Sequence, residues 1–325
     1  FSMEEKKCPA GGFKTMCGGQ ALIEGILMRG PKKQSIVIRR PDGGLEIREK
    51  ELKLIKDRCP ILGWPLIRGV VTFLDSMVEG VKALMFSAEF YPEDGEEPEE
   101  PSKFEQWLDK HLGSEKAAAF FTTVAVVIGI AMSIGLFFLL PTLLGTAVVL
   151  FTDSMVVRNV AESLLKMAIF VGYLALCSRM KDMRRVFSYH GAEHKTIFCY
   201  EAGLPLTVEN VRIQPRHHPR CGTSFLFVVI FISILVSSVV FGIWPVTNPL
   251  LRFGAHLLML PIIVGVSYEF NRWAGRSDCR LSRILRAPGL WMQNFTTFEP
   301  DDSMIEVGIK ALELVLPENK GEDEW

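Results

Sequence analysis

The sequence contains no C-x-x-C pair, although it holds seven cysteines. Their odd number and scattered spacing argue against a disulfide framework and fit a reducing compartment. A strong net charge is also missing. With 36 basic and 37 acidic residues the sum is −1, so nothing global draws the chain to nucleic acid. Neither G-x-x-x-x-G-K nor G-x-G-x-x-G occurs, so Gly18, Gly19 and Gln20, with Glu24 and Arg29 beyond them, are not a phosphate loop. Gln20 and Glu24 are one helical turn apart and could face the same site. No internal repeat is present. The first apolar run is short and broken by Glu24 and Arg29, so no secretory signal peptide is expected.

What the chain does have is apolar length. Hydrophobic residues make up 49% of it and the mean hydropathy is +0.24, values that rarely accompany long uncharged runs in a water-soluble protein. Ala117–Leu140 is 24 residues without a charge. A helix rises ~1.5 Å per residue, so about 20 residues cross the ~30 Å hydrocarbon layer. Val160–Cys177 is a weaker span carrying Glu162 and Lys166, Ser224–Trp244 a strong one, and Phe253–Phe270 a fourth, with His256 towards one end and Glu269 at the other. Residues 141–152 are apolar but too short to cross alone, which suggests a re-entrant or interfacial piece.

Four spans have one orientation that satisfies the positive-inside rule. The segment 178–220 carries eight Lys/Arg, and Arg272, Arg276, Arg280, Arg283 and Arg286 follow the last span, whereas 141–159 has only Arg158 and 245–251 has none. Both termini and the middle loop are therefore expected in the cytoplasm, in a multi-pass cell-membrane protein. Trp107, Trp244 and Trp273 fall near the expected interfaces.

Outside the spans, SIVIRR-PDGG-LEIREKEL reads as two strands around a turn at Asp42-Gly43-Gly44. Residues 64–90 follow a helical period, with Leu66, Val70, Phe73, Leu74, Met77, Val81 and Leu84 on it. Arg68, Asp75, Glu79 and Lys82 exclude a clean span, so this helix lies against the membrane or against a soluble core. PEDGEEPEEP at 92–101 is too acidic and proline-rich to pack, and reads as a linker. Near the C-terminus, Asp301 and Asp302 can cap a helix whose face carries Ile305, Ile309, Leu312 and Leu316 and which Pro317 stops. The expected architecture is a mainly α membrane protein with about four transmembrane helices, a small N-terminal β-hairpin domain and cytoplasmic helices. Its regions are a cytoplasmic N-terminal region (1–91), an acidic linker and juxtamembrane segment (92–116), a transmembrane hairpin (117–177), a cytoplasmic loop (178–223), a second transmembrane hairpin (224–270) and a cytoplasmic C-terminal region (271–325).

The loop 178–223 carries the chemistry. Tyr189-His190-Gly191-Ala192-Glu193-His194 contains H-x-x-E-H, the inverted form of a zinc-enzyme motif. On a helix, His190 and His194 lie one turn apart and both imidazoles can reach one ion. Glu193 between them suits a general base acting on water that a divalent metal has acidified. Ser188 is a possible cap for this helix, and Ala202-Gly203 before Pro205 its end. Gly191 weakens a helix by about 1 kcal/mol. The plainer reading is two surface histidines beside a basic loop. His218 and Cys221, three apart in His217-His218-Pro219-Arg220-Cys221-Gly222, are further ligand candidates, or else part of a basic turn at the lipid surface. Glu269 is a possible third ligand, or the partner of Arg272. His256, at the other end of the same span, reads as a satisfied packing residue.

The stretches GGQALIEGILMRGP, YHGAEHKTIFCYE, HPRCGTSF and PGLWMQNFTTFEPDD…EVGIKAL, in that order and covering Gly18 to Leu316, resemble the YqhQ-like family. This is a bacterial membrane family of unknown function, often labelled predicted metal-dependent enzymes. The resemblance implies that His190, Glu193, His194, His218 and Cys221 belong to the family's motifs, and it implies no substrate. Three functions are open: a metal-dependent hydrolase at the cytoplasmic membrane surface, with zinc the foremost metal; a non-catalytic accessory or scaffold protein in membrane-protein biogenesis or transport; and, last, an ion or solute pathway. Expected partners are membrane lipid and either a homo-oligomer or a membrane protein complex, without nucleic acid.

Overall fold

The computed structural model describes residues 13–52, 60–91, 114–147, 154–277, 279–319 and 321–324. The acidic linker and Trp107 lie outside them. In chain order the elements are four strands, β1 (Gly18–Leu22), β2 (Gly25–Arg29), β3 (Lys33–Arg39) and β4 (Leu45–Glu51), followed by ten α-helices. The helices are α1 (Ile67–Ala88), α2 (Ser114–Ile134), α3 (Leu140–Ala147), α4 (Met155–Cys177), α5 (Lys181–Glu201), α6 (Val208–Arg212), α7 (Gly222–Ile243), α8 (Pro249–Arg276), α9 (Arg280–Thr296) and α10 (Asp302–Glu313). The chain forms two compact units. One comprises Phe1–Tyr91, Val171–Ser233 and Leu260–Trp325, the other Pro92–Phe170 and Ile234–Met259.

Among the described residues, four helices are long and apolar enough to cross a membrane: Phe120–Ala147, Val156–Cys177, Gly222–Ile243 and Pro249–Arg276. The first corrects the reading of 141–152 as a separate re-entrant piece. A π-helical stretch, Gly135–Leu139, joins α2 to α3 without a break, so residues up to Ala147 prolong the first span. Pro141 does not end it, because the wider π turn absorbs the missing backbone donor. Residues 148–152 lie outside the described ones.

The first unit is built on an antiparallel meander in the order β1-β2-β3-β4. The expected hairpin is its β3–β4 half, with Gly43 at φ 86° in the turn. The glycine-rich stretch before it forms a second hairpin, with Glu24 at φ 50°. This corrects the helical placement of Gln20 and Glu24, which the hairpin sends different ways. Alternation along β2 separates two cores. Ile26 and Met28 pack with Val37 against Tyr189, Ala192 and Ile197 of α5 and Val307, Ala311 and Leu312 of α10. Leu27 lies on the other face with Leu22 and with Ala83 of α1.

Helix α5 runs along the β1 edge and covers it, as sheet edges require. The Glu201 carboxylate accepts the Thr15 N–H at 2.8 Å, Glu193 accepts the Gly19 N–H at 2.8 Å, and the Tyr189 hydroxyl donates to Glu24 at 3.1 Å. Ser188 does not cap this helix. It begins at Lys181, and Ser188 sits inside it with its hydroxyl on the Arg184 carbonyl. Gly203, at φ 68°, follows its end. Helix α10 starts as expected, with the Asp301 carboxylate accepting the Met304 N–H at 2.9 Å.

In the second unit the charges of the weak span form a buried network. Glu162 accepts from Arg252 Nε at 2.7 Å and from the Thr142 hydroxyl at 2.9 Å, and lies 3.3 Å from Lys166 Nζ. His256 donates from Nδ1 to the Arg252 carbonyl, so its Nε2 accepts from Lys166 at 2.8 Å. His256 is satisfied, but by charged partners.

Candidate metal centre

Helix α5 places His190 and His194 on one face with ring centroids 4.3 Å apart. Each ring is oriented by a backbone carbonyl. His190 Nδ1 lies 2.8 Å from the Thr296 oxygen and His194 Nδ1 lies 2.6 Å from the Arg216 oxygen. A carbonyl only accepts, so both Nδ1 atoms carry a proton, and in the neutral ring each Nε2 presents a lone pair inward. His190 Nε2 faces Cys221 Sγ at 3.1 Å, while His194 Nε2 is buried without a hydrogen-bond partner among the described residues. The ligand atoms of His190, His194 and Cys221 all lie within 4.8 Å of one another. Two imidazole lone pairs and a sulfur, held by second-shell carbonyls and with one nitrogen orphaned, fit a divalent metal.

Cys221 immediately precedes α7, and the Thr223 N–H and hydroxyl approach its sulfur at 3.4 and 3.2 Å. Burial pushes this thiol up, but the two histidines outweigh it and hold it well below the usual thiol range. For His190 burial favours the neutral ring, yet the facing Cys221 sulfur dominates and lifts it to about 9 without a metal. The shift of Cys221 favours the thiolate, which is the form that binds metal.

Glu193 lines the cavity that these residues also line. Its Oε1 accepts the Gly19 N–H, and its Oε2 is buried with no partner among the described residues. Burial raises its proton affinity, opposed by His190 and His194. Gly19 is needed here: a Cβ would lie 2.4 Å from the Leu27 carbonyl and 3.2 Å from the Glu193 carboxyl. Gly191 is needed for a similar reason, because a Cβ there would lie 2.0 Å from the carbonyl of Phe298. A cavity of about 230 Å³ opens onto the cluster, walled by Gly18, Gly19 and Gln20 of β1, Ser76 and Gly80 of α1, and Cys221.

The other sequence candidates lie apart from the three converging ligands. The His218 ring stacks near His194 (5.5 Å) and Phe198 (4.7 Å), but its Nε2 faces the Glu201–Arg220 ion pair, 3.7 Å from the Glu201 carboxylate. Burial and then Arg220 hold this imidazole neutral, well below its usual range. Glu269 is bound to the Arg68 guanidinium through both oxygens, with Nε to Oε1 at 2.6 Å, and takes no part in the cluster. Its partner is Arg68 rather than Arg272, a contact that spacing along the chain does not disclose.

Gln293 of α9 was not foreseen. Its side-chain oxygen accepts the His218 N–H at 2.8 Å, and its amide donates to the His218 carbonyl at 2.8 Å and to the Ser224 hydroxyl at 3.0 Å. It thereby fixes the turn that carries Cys221. Gln293, Thr296 and Gly19 all stand in the stretches that carried the family resemblance, which was the available signal.

A family profile described as "Protein of unknown function (DUF1385)" matches residues 64–318, most of the chain. The chain belongs to this family. It is 35% identical over 307 residues to "Uncharacterized protein YqhQ" of Bacillus subtilis (strain 168), covering 92% of each chain. No solved structure matches. Within the family match fall all three converging ligands, Glu193 and Gln293, whereas Gly19 precedes it.

Proposed function

We propose that this DUF1385 protein is a membrane-integrated, metal-dependent hydrolase with its site on the cytoplasmic side. The observation that carries the reading is the convergence of His190 Nε2, His194 Nε2 and Cys221 Sγ beside the unpartnered Glu193 Oε2. Three protein ligands with room for a fourth is the pattern of a catalytic rather than a structural zinc site. A divalent ion, zinc foremost, would supply Lewis acidity, polarising a substrate oxygen and acidifying water. The chain's own residues do the rest. Thr296 and Arg216 hold the two imidazoles in the ligating tautomer. The Gly19 N–H anchors one oxygen of Glu193, leaving the other to take a proton from water and pass it to the leaving group. Walls from β1 and α1 shield the site. The cytoplasmic placement rests on the charge asymmetry of the connecting segments.

Metal analysis of the purified protein tests this reading. About one equivalent per chain is expected, lost in His190→Ala and His194→Ala and retained in Glu193→Gln. Wild-type protein without stoichiometric zinc, manganese or iron removes the proposal. If metal is present, Glu193→Gln should lower turnover of a panel of esters, phosphoesters and peptides by roughly 10²–10⁴-fold. Stable co-purification in a larger complex, without turnover, would favour the accessory role instead.

A further inference from the structure

Helix α1 has two unlike faces. One holds Gly69, Gly80, Ala83 and Ser87, all buried. The other carries Ile67, Leu74, Val78 and Met85, spaced by seven, four and seven residues and all exposed, with Leu74 at 56% and Val78 at 53%. Trp64, just before the helix, is exposed at 60%. Most charges of the helix are turned towards protein: Arg68 pairs with Glu269, Asp75 with Arg29 and Glu79 with Lys50. An outward apolar stripe along about five turns is far more than the scattered exposed side chains of a soluble surface.

The start of the helix shows where it sits. Leu66 and Gly69 pack against the last membrane helix so closely that a Cβ on Gly265 would lie 2.7 Å from the Leu66 carbonyl, and one on Gly69 would lie 2.6 Å from Tyr268 Cβ. Gly265 stands one turn before Glu269, within the uncharged stretch 253–268 of α8. Further along, Phe73 meets Phe225 of the α7 span, with ring centroids 5.9 Å apart. Helix α1 thus packs by its other side on two membrane-spanning helices with its stripe turned away from them, and a bilayer that immerses Gly265 and Phe225 also reaches α1.

We propose that α1 is an interfacial helix of the bilayer, with the stripe Ile67–Leu74–Val78–Met85 in contact with lipid acyl chains in the leaflet at the Arg276 end of α8. The same helix supplies Ser76 and Gly80 to the wall of the cavity, which sets the cavity mouth at the lipid–water boundary. The proposal does not depend on a metal being bound.

Photo-crosslinking in native membranes tests it with the full-length chain. p-Benzoylphenylalanine is placed at position 74 or 78, and at position 313 on α10, which packs on the opposite face of the sheet. Adducts to phospholipid at 74 and 78, with none at 313, are the expected result. Adducts at 74 and 78 to a second copy or to another polypeptide would overturn the proposal. Absence of any adduct there, with a cysteine at the same position open to aqueous maleimide, would overturn it equally, since the stripe would then face water.

Discussion

Gly191 stands between the two histidines at a position where propensity alone prefers alanine. The carbonyl of Phe298 occupies the space that a side chain would need. Gly191→Ala should therefore destabilise the protein by about 1–3 kcal/mol through overpacking, despite the better helix former. It should also shift His190 and lower metal content. Thermal unfolding and metal analysis on the same sample check both outcomes. Gln293→Ala should leave the buried His218 N–H and carbonyl unpaired, at about 1–3 kcal/mol. Its unfolding midpoint should fall while the spans stay helical by circular dichroism. His190, His194, Glu193 and Cys221 are legible as chemistry because their residue types and spacing are distinctive. Gln293 is not, since an isolated glutamine on an amphipathic helix looks like any polar surface residue until the fold brings His218 to it.

Among the elements, α1 shows how charge can mislead. Arg68, Asp75 and Glu79 rule out a clean span, which the structure agrees with, but they do not say which way the apolar side faces. Glu79 ties α1 to β4. The Lys50 ammonium, bonded at 2.8 Å, holds its carboxyl down to about 2 against the opposing effect of burial. A depressed folded pKa contributes stability that is fully present above the unfolded value near 4.5 and is lost as pH falls towards 2. Wild type should thus progressively lose its stability advantage over Glu79→Gln as pH falls from 5 towards 2. Unfolding midpoints of the two proteins in micelles across that range check this. The second hairpin, β1–β2, escaped notice because its strands are short and rich in glycine, with little alternation to read. The tail helix was plain by contrast, having a carboxylate cap and a regular apolar face.

Over the whole molecule, two features carry separate tests. Glu162 is the carboxylate between Arg252 and Lys166 in the second unit. Glu162→Gln leaves those cations short of a partner in a buried setting, so unfolding in micelles should fall by about 3–5 kcal/mol. The orientation can be read with Cys279, which is exposed just beyond the last span. A membrane-impermeant maleimide should label it in inverted vesicles and not in intact cells. The reverse pattern would place the candidate site outside the cell.

By itself the sequence determined the four helices that are long and apolar enough to cross a membrane, because apolar length is a local property. It also determined the helical pairing of His190 with His194, since one turn of helix is enough to bring them together. Only the tertiary structure decided that Cys221 joins them and His218 and Glu269 do not, that Gly19 and Gln293 hold the site from distant elements, and that the stripe of α1 is left without protein cover. These depend on which way each element turns once packed, and residue spacing carries no information about packing across the fold.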